Sequence, residues 1–214
     1  MIKRLTLIAL LFFVAGANAQ IKKKEKMKAR VYKEKPKPKV DQTELNAFVL
    51  NGYKIVTYSY GDFNDDKKQD AVLLLKKIDE EKLAETSDKP IERPLLVLIR
   101  GEDGKLTKVA RNDRAVYCYK CGSNFGSPLT DILIEGNQFS IQHEAGKTDR
   151  WTRLISFEYS KISNSFSLFK DATSTYSISG GTTVENEVKT KKDFGDINFE
   201  EFDVYSEDLK QKKA

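Results

Sequence analysis

Asp131-Ile132-Leu133-Ile134-Glu135-Gly136-Asn137-Gln138-Phe139-Ser140-Ile141-Gln142-His143-Glu144 is the stretch that decides the fold class. Apolar and polar side chains alternate on both sides of Gly136-Asn137, a dipeptide suited to a two-residue turn, so the stretch predicts a hairpin of two antiparallel strands. The pattern recurs in both directions. Downstream, residues 150–159 and 165–169 flank Ser163-Asn164, and Trp151, Leu154, Phe157, Tyr159, Phe166, Leu168 and Phe169 supply the apolar positions of a sheet. Upstream, residues 95–100 and 106–111 flank the turn Glu102-Asp103-Gly104-Lys105, and the runs 53–60 and 71–75 flank an acidic turn. The predicted class is mainly β, α+β at most: an antiparallel sheet built from hairpins, with one short N-terminal helix.

That helix is expected where Asp41 or Thr43 caps a run with Leu45, Phe48 and Val49 at helical spacing, ended by Asn51-Gly52. Residues 76–94 are charged and apolar-poor and read as a long surface loop or a frayed helix carrying Ile78 and Leu83. Residues 180–192 are polar and poorly patterned, whereas Phe194, Ile197, Phe199 and Phe202 are expected to dock a terminal segment onto the sheet. No repeat longer than a hairpin is visible.

The N-terminus predicts export. Lys3 and Arg4 precede an apolar run from Leu5 to Val14, too short to span a bilayer comfortably, and Ala17-Asn18-Ala19 offers a signal-peptidase site that would leave Gln20 first. The alternative is an uncleaved anchor. No cysteine sits at the junction to take a lipid. The expected organisation is a signal peptide over 1–19, a basic Lys/Pro linker over 20–40, one β-rich domain over 41–205 and a charged tail over 206–214. The mature chain is expected to carry no transmembrane segment and to stay in the periplasm or reach the exterior.

The net charge of +5 is misleading as a property of the whole. Residues 21–39 hold ten basic side chains against Glu25 and Glu34, while residues 40–214 hold 25 basic and 30 acidic ones. A self-repelling stretch with Pro36 and Pro38 among lysines reads as an extended spacer, or as a segment that touches anionic lipid headgroups, lipopolysaccharide or peptidoglycan carboxylates. Nucleic acid is not an expected partner, since only Tyr32 is there to stack on a base.

The most specific string is Gly61-Asp62-Phe63-Asn64-Asp65-Asp66-Lys67-Lys68-Gln69-Asp70-Ala71-Val72-Leu73. Side-chain oxygens fall at alternate positions from Asp62 through Asn64 to Asp66 and again at Asp70, and the Lys68 carbonyl fills the place between. A hard cation such as calcium takes six to eight oxygens in this manner. The string resembles the calcium loop of FG-GAP repeats of integrin-type propellers, a G-D-x-N-x-D-G-x-x-D pattern running into an apolar strand. The resemblance covers about fifteen residues of one loop. It implies Asp62, Asn64, Asp66 and Asp70 as ligands of a structural Ca2+ held in the weak extracellular range of roughly 0.1–1 mM. Two departures stand out. Lys67 occupies the position where the pattern has glycine, at the cost of strain at positive φ, and Leu73 replaces the bidentate glutamate of an EF-hand. The alternative is an Asp/Asn-rich turn bonded to its own backbone without metal.

Cys118-Tyr119-Lys120-Cys121 holds both cysteines. In an oxidising compartment the pair predicts a disulfide closing a very small loop; a redox-active pair or a metal site with His143 are the alternatives. Gly122, Gly126 and Pro128 follow, so residues 116–128 read as a glycine-rich β-excursion in which no helix begins. His143 and Glu144 are adjacent on an alternating strand, face opposite ways and form no dyad, and His143 is expected at the surface or partly satisfied. No G-x-S-x-G elbow is present, and Gly180-Gly181 lacks the context of a phosphate loop. No catalytic residue is assigned.

Together these features predict an exported, non-enzymatic β domain that binds a protein or an envelope polymer and has its acidic loop ordered by calcium. The rival is a periplasmic enzyme, either a thiol-disulfide oxidoreductase using Cys118 and Cys121 or a carboxylate-dependent hydrolase. A hydrolase is disfavoured because the sequence shows no aromatic-lined cleft.

Overall fold

Strand pairing follows chain order in the computed structural model, which describes residues 43–177 and 184–206. The leader expected over 1–19, the linker over 20–40, Gly180-Gly181 and the tail beyond Ser206 lie outside the described residues. Strands β1 (Tyr53–Gly61), β2 (Asp70–Lys77), β3 (Leu95–Arg100) and β4 (Leu106–Asn112) form one antiparallel meander. Strands β5 (Leu129–Glu135), β6 (Gln138–Gly146), β7 (Asp149–Ser160), β8 (Ser165–Ser177) and β9 (Val184–Thr190) form a second. The mainly β class is as expected, but the hairpins divide between two sheets. Among the described residues no helix is long and apolar enough to cross a membrane.

The two sheets share one core. Val72, Leu74, Leu95 and Val97 meet Ile141, Ile155, Phe157 and Phe166, with Phe63, Phe139 and Phe199 stacked edge to face among them. The first sheet is covered on its other face too. Ala71, Leu73, Leu75, Leu96 and Leu98 pack beneath Leu45 and the partly buried Phe48, Val49 and Leu50. A strand buried on both sides has no polar face, which is why β2 and β3 read as continuous apolar runs. Helix α1 (Thr43–Asn46) is a single turn that seats Leu45 on this outer face, shorter than the spacing suggested.

At Gly61, the end of β1, an added Cβ would lie 2.3 Å from Cγ2 of Ile134 on β5. Glycine here sets how closely the edges of the two sheets approach.

Four expectations need correction. Of the loop and the helix expected over residues 76–94 the helix is found, α2 (Glu80–Thr86) with Leu83 in it, but it is no mere surface segment: it buries Glu80 completely against Arg93, which donates Nε to Oε1 at 2.5 Å and Nη2 to Oε2 at 2.8 Å. The region 116–128 is not a β-excursion, because a 3-10 helix runs over Tyr119–Phe125 immediately after Cys118. The polar stretch 180–192 contains edge strand β9, whose Val188 is exposed and therefore gives no alternation to read. Strand β8 continues well past Phe169. The register slips there, so that Ser156 pairs with Lys170 and Phe157 with Leu168, leaving Phe169 as the bulged residue, 42% exposed and off the core.

The terminal segment docks as expected. Phe194, Phe199, Phe202 and Val204 are buried in the shared core, and Asn112 at the end of β4 donates Nδ2 to the carbonyls of Phe199 and Phe202. Arg114 donates to Asp203, and Val204 donates its N–H to the Arg114 carbonyl at 2.9 Å. This clamp carries Tyr205 to the end of the second sheet.

Candidate functional site

The acidic loop joins β1 to β2. Asp66 donates its N–H to Asp62 Oδ1 and Asn64 Oδ1, each at 3.2 Å, while Lys67 donates to Asp62 Oδ2 at 2.7 Å and Lys68 to Asp66 Oδ1 at 2.8 Å. Asp65 and Lys67 adopt φ of 58° and 65°, so Lys67 takes the left-handed conformation expected of the glycine position. The Lys68 ammonium lies 2.8 Å from Glu102 and 3.6 Å from Asp66. Its backbone N–H contributes most to holding the Asp66 carboxyl below the ordinary carboxylate range.

Asp70 plays a different part. It is fully buried and accepts the N–H groups of Phe63 at 2.9 Å and Arg100 at 2.8 Å, tying the loop to β3. Burial raises its pKa against the pull of those two donors, and Asp66 and Asp62 add to the rise. Arg100 extends the tie by a two-pronged pair with Glu44 of α1, at 3.0 and 2.6 Å. Backbone bonds thus gather Asp62, Asn64 and Asp66 around the turn, while Asp70, near enough for Asp62 and Asp66 to act on it, has one oxygen on Phe63 of the loop and the other on Arg100. The atoms the loop could offer a cation are oxygens, a set suited to a hard ion: both Asp62 oxygens and Asp66 Oδ1 keep a second lone pair beyond their backbone bonds, while Asp66 Oδ2 accepts Asn64 Nδ2 at 3.2 Å and lies 3.6 Å from the Lys68 ammonium. Among the described residues no three His, Cys, Asp or Glu side chains are grouped as a metal cage.

Cys118 and Cys121 are joined, with Cα atoms 5.1 Å apart. The Tyr205 hydroxyl accepts the Cys118 N–H at 2.8 Å and lies 3.5 Å from Cys121 Sγ. Burial is the main reason that phenol is pushed up to about 12, so it stays neutral. Arg93, just ahead of β3 and paired with Glu80 of α2, reaches the same corner by donating to the Tyr117 carbonyl at 3.3 Å and to Ser127 Oγ at 2.7 Å.

Beyond the disulfide the inward face of the second sheet changes character. Phe157 and Ile155 of β7 give way in the same phase to Arg153 and Trp151, and Ile141 of β6 gives way to His143. A cleft of about 530 Å³ opens here, walled by Tyr117, Trp151 and Tyr205. Its floor is Arg153, which donates Nε and Nη2 to the two oxygens of Asp171 at 2.9 and 2.7 Å and Nη1 to the Tyr117 hydroxyl at 2.6 Å and the Val204 carbonyl at 3.0 Å. The Tyr117 ring is the hub, edge-on to His143 at 4.9 Å, Trp151 at 5.7 Å and Tyr205 at 5.5 Å. An aromatic-lined cleft thus exists, contrary to the expectation from sequence.

His143 is not at the surface. It is 2% exposed, its Nε2 accepts the Tyr117 N–H at 3.4 Å, and Nδ1 is buried with no hydrogen-bond partner in the protein. Burial first, then the cations Arg153 and Arg93, push its pKa down to about 3. The imidazole is therefore neutral and supports the cleft from beneath. With the guanidinium and carboxylate of the floor committed to each other, the arrangement is suited to holding a ligand and poorly suited to passing protons.

The molecule these features define is a two-sheet antiparallel β protein with a charged, aromatic cleft at one end of its larger sheet. No family model, curated protein or solved structure matches the chain.

Proposed function

We propose that the chain is an exported, non-enzymatic binding domain that holds a protein or an envelope polymer in the cleft of the second sheet, with its acidic loop ordered by calcium. The observation that carries this reading is the cleft itself: three aromatic side chains fixed around a bidentate Arg153–Asp171 pair. Such a surface offers area and directed hydrogen bonds with few groups left to order on binding. The leader-like N-terminus and the disulfide are both in keeping with an oxidising compartment.

The test is co-sedimentation of the protein with a washed envelope fraction. Retention by the native protein and its loss in Trp151→Ala support the reading; equal sedimentation of the two removes the cleft from it. For the loop, calcium should raise the melting temperature and a chelator lower it, and indifference to both withdraws the ion.

The helical turn that follows Cys118 favours a second reading, thiol-disulfide exchange. Cys118 is buried, however, and its N–H is already held by Tyr205. Rapid exchange with a dithiol substrate, lost in Cys118→Ser, would put this reading first.

A further inference from the structure

We propose that the ligand of the cleft is an uncharged saccharide stacked on Trp151, an inference that rests on the reading of the cleft as a binding face. Charge is the first reason. Arg153 is matched by Asp171, and Lys189 lies 3.4 Å from Glu187, so donors and acceptors of both signs line the cleft with no net charge to attract an ion.

Shape and chemistry narrow the class further. Flat indole and phenol rings offer apolar faces, while Thr173 and the paired charges offer closely spaced donors and acceptors. A sugar ring presents both surfaces at once, C–H groups on its face and hydroxyls on its rim, and carries no charge. A peptide added as a strand needs an unpaired backbone edge. Strands β7 and β8, which form the floor, are each paired on both sides, so the floor itself offers side chains alone; edge strand β9, which brings Glu187 and Lys189 to the rim, pairs with β8 only, and a peptide added there is the outcome the protease arm detects. The aromatic hub at Tyr117 and the bond from Cys118 N–H to Tyr205 hold the walls in place beforehand.

Trp151 is the only tryptophan in the chain, so intrinsic emission reports directly on the cleft. The protein would be titrated with neutral gluco-, manno- and galacto-configured oligosaccharides, and sedimented with envelope that is untreated, periodate-oxidised or protease-digested. The expected result is a saturable emission change with at least one neutral sugar, unchanged at high salt, and envelope binding that survives protease and is lost after periodate. Trp151→Ala should weaken envelope binding about tenfold or more. Glu187→Ala, at an exposed position, should weaken it several-fold with the melting temperature unchanged, which keeps the test open if the tryptophan variant misfolds. Binding abolished by protease and indifferent to periodate points to a protein partner and overturns the saccharide while leaving a binding domain. Binding lost at high salt overturns the uncharged ligand. Absence of both envelope binding and any sugar response overturns the binding domain as well.

Discussion

Arg153 and Asp171 face each other across β7 and β8 in a fork of two hydrogen bonds, 2.9 and 2.7 Å, with side chains only 13% and 6% exposed. Removing one member leaves the other charged and poorly solvated. Asp171→Asn should cost about 3 kcal/mol or more in urea denaturation. The double variant Arg153→Met with Asp171→Leu should cost less than the two single losses added together. Strict additivity would mean that the pair is not coupled in solution.

His143 makes a pH prediction whose sign is fixed. Its folded pKa of about 3 lies below the ordinary 6.5, so the native state resists the proton that the unfolded chain accepts. Its contribution is intact above pH 6.5 and is lost as the pH falls from there toward 3. Between pH 6.5 and 5 the loss should be about 2 kcal/mol. His143→Leu should flatten the stability profile across that interval, whatever its effect at neutral pH; an unaltered slope would place the acid sensitivity elsewhere.

Gly61→Ala should destabilise by about 1–3 kcal/mol, because the new methyl meets Cγ2 and Cβ of Ile134 at 2.3 and 2.8 Å. Trimming Ile134 to alanine removes the nearer obstacle, so the cost of Gly61→Ala should shrink in that background. Thermal melts of the four combinations measure the coupling.

The joined cysteines close a loop too small to restrict the unfolded chain greatly, and replacing both by serine should cost about 2 kcal/mol or less. The larger effect is expected in the cleft, since Tyr205 is positioned against both residues. A red shift or broadening of Trp151 emission in the double serine variant would register the loosened wall, and an unchanged spectrum would mean that Tyr205 is held by the terminal clamp alone.

Most strands were legible because each buries a face. The alternation around Gly136-Asn137 maps directly onto β5 and β6, and the unbroken runs of β2 and β3 reflect cover on both sides. Legibility failed where burial is not apolar. Glu80 and Arg93 lie deep in the protein but satisfy each other across thirteen positions, a distance that leaves no periodic trace. Phe169 misled because a bulge turns an apolar side chain outward and hides the continuation of β8. The cleft had one overlooked mark in the sequence: His143 stands in the phase of Phe139 and Ile141, and Arg153 in that of Ile155 and Phe157, whereas the bulge at Phe169 takes Asp171 out of the phase of Phe166 and Leu168. Polar residues in that phase either form a buried network or line an opening, and here they do both. The acidic loop was legible as a string, and its backbone turns left-handed at Lys67, the glycine position of the pattern, but the same turn at Asp65 and the tie of Asp70 to Arg100, thirty residues away, were not.

Neighbouring strands pair in sequence throughout both meanders, so much of the body can zip up from local hairpins. The mouth of the molecule is assembled otherwise: Asn112 waits for Phe199 and Phe202, and the N–H of Cys118 waits for Tyr205. A chain interrupted ahead of Phe199 would forfeit the plug of its interior and one wall of its mouth in the same stroke. Solidity of the interior and the shape of the opening thus hang on the same terminal segment.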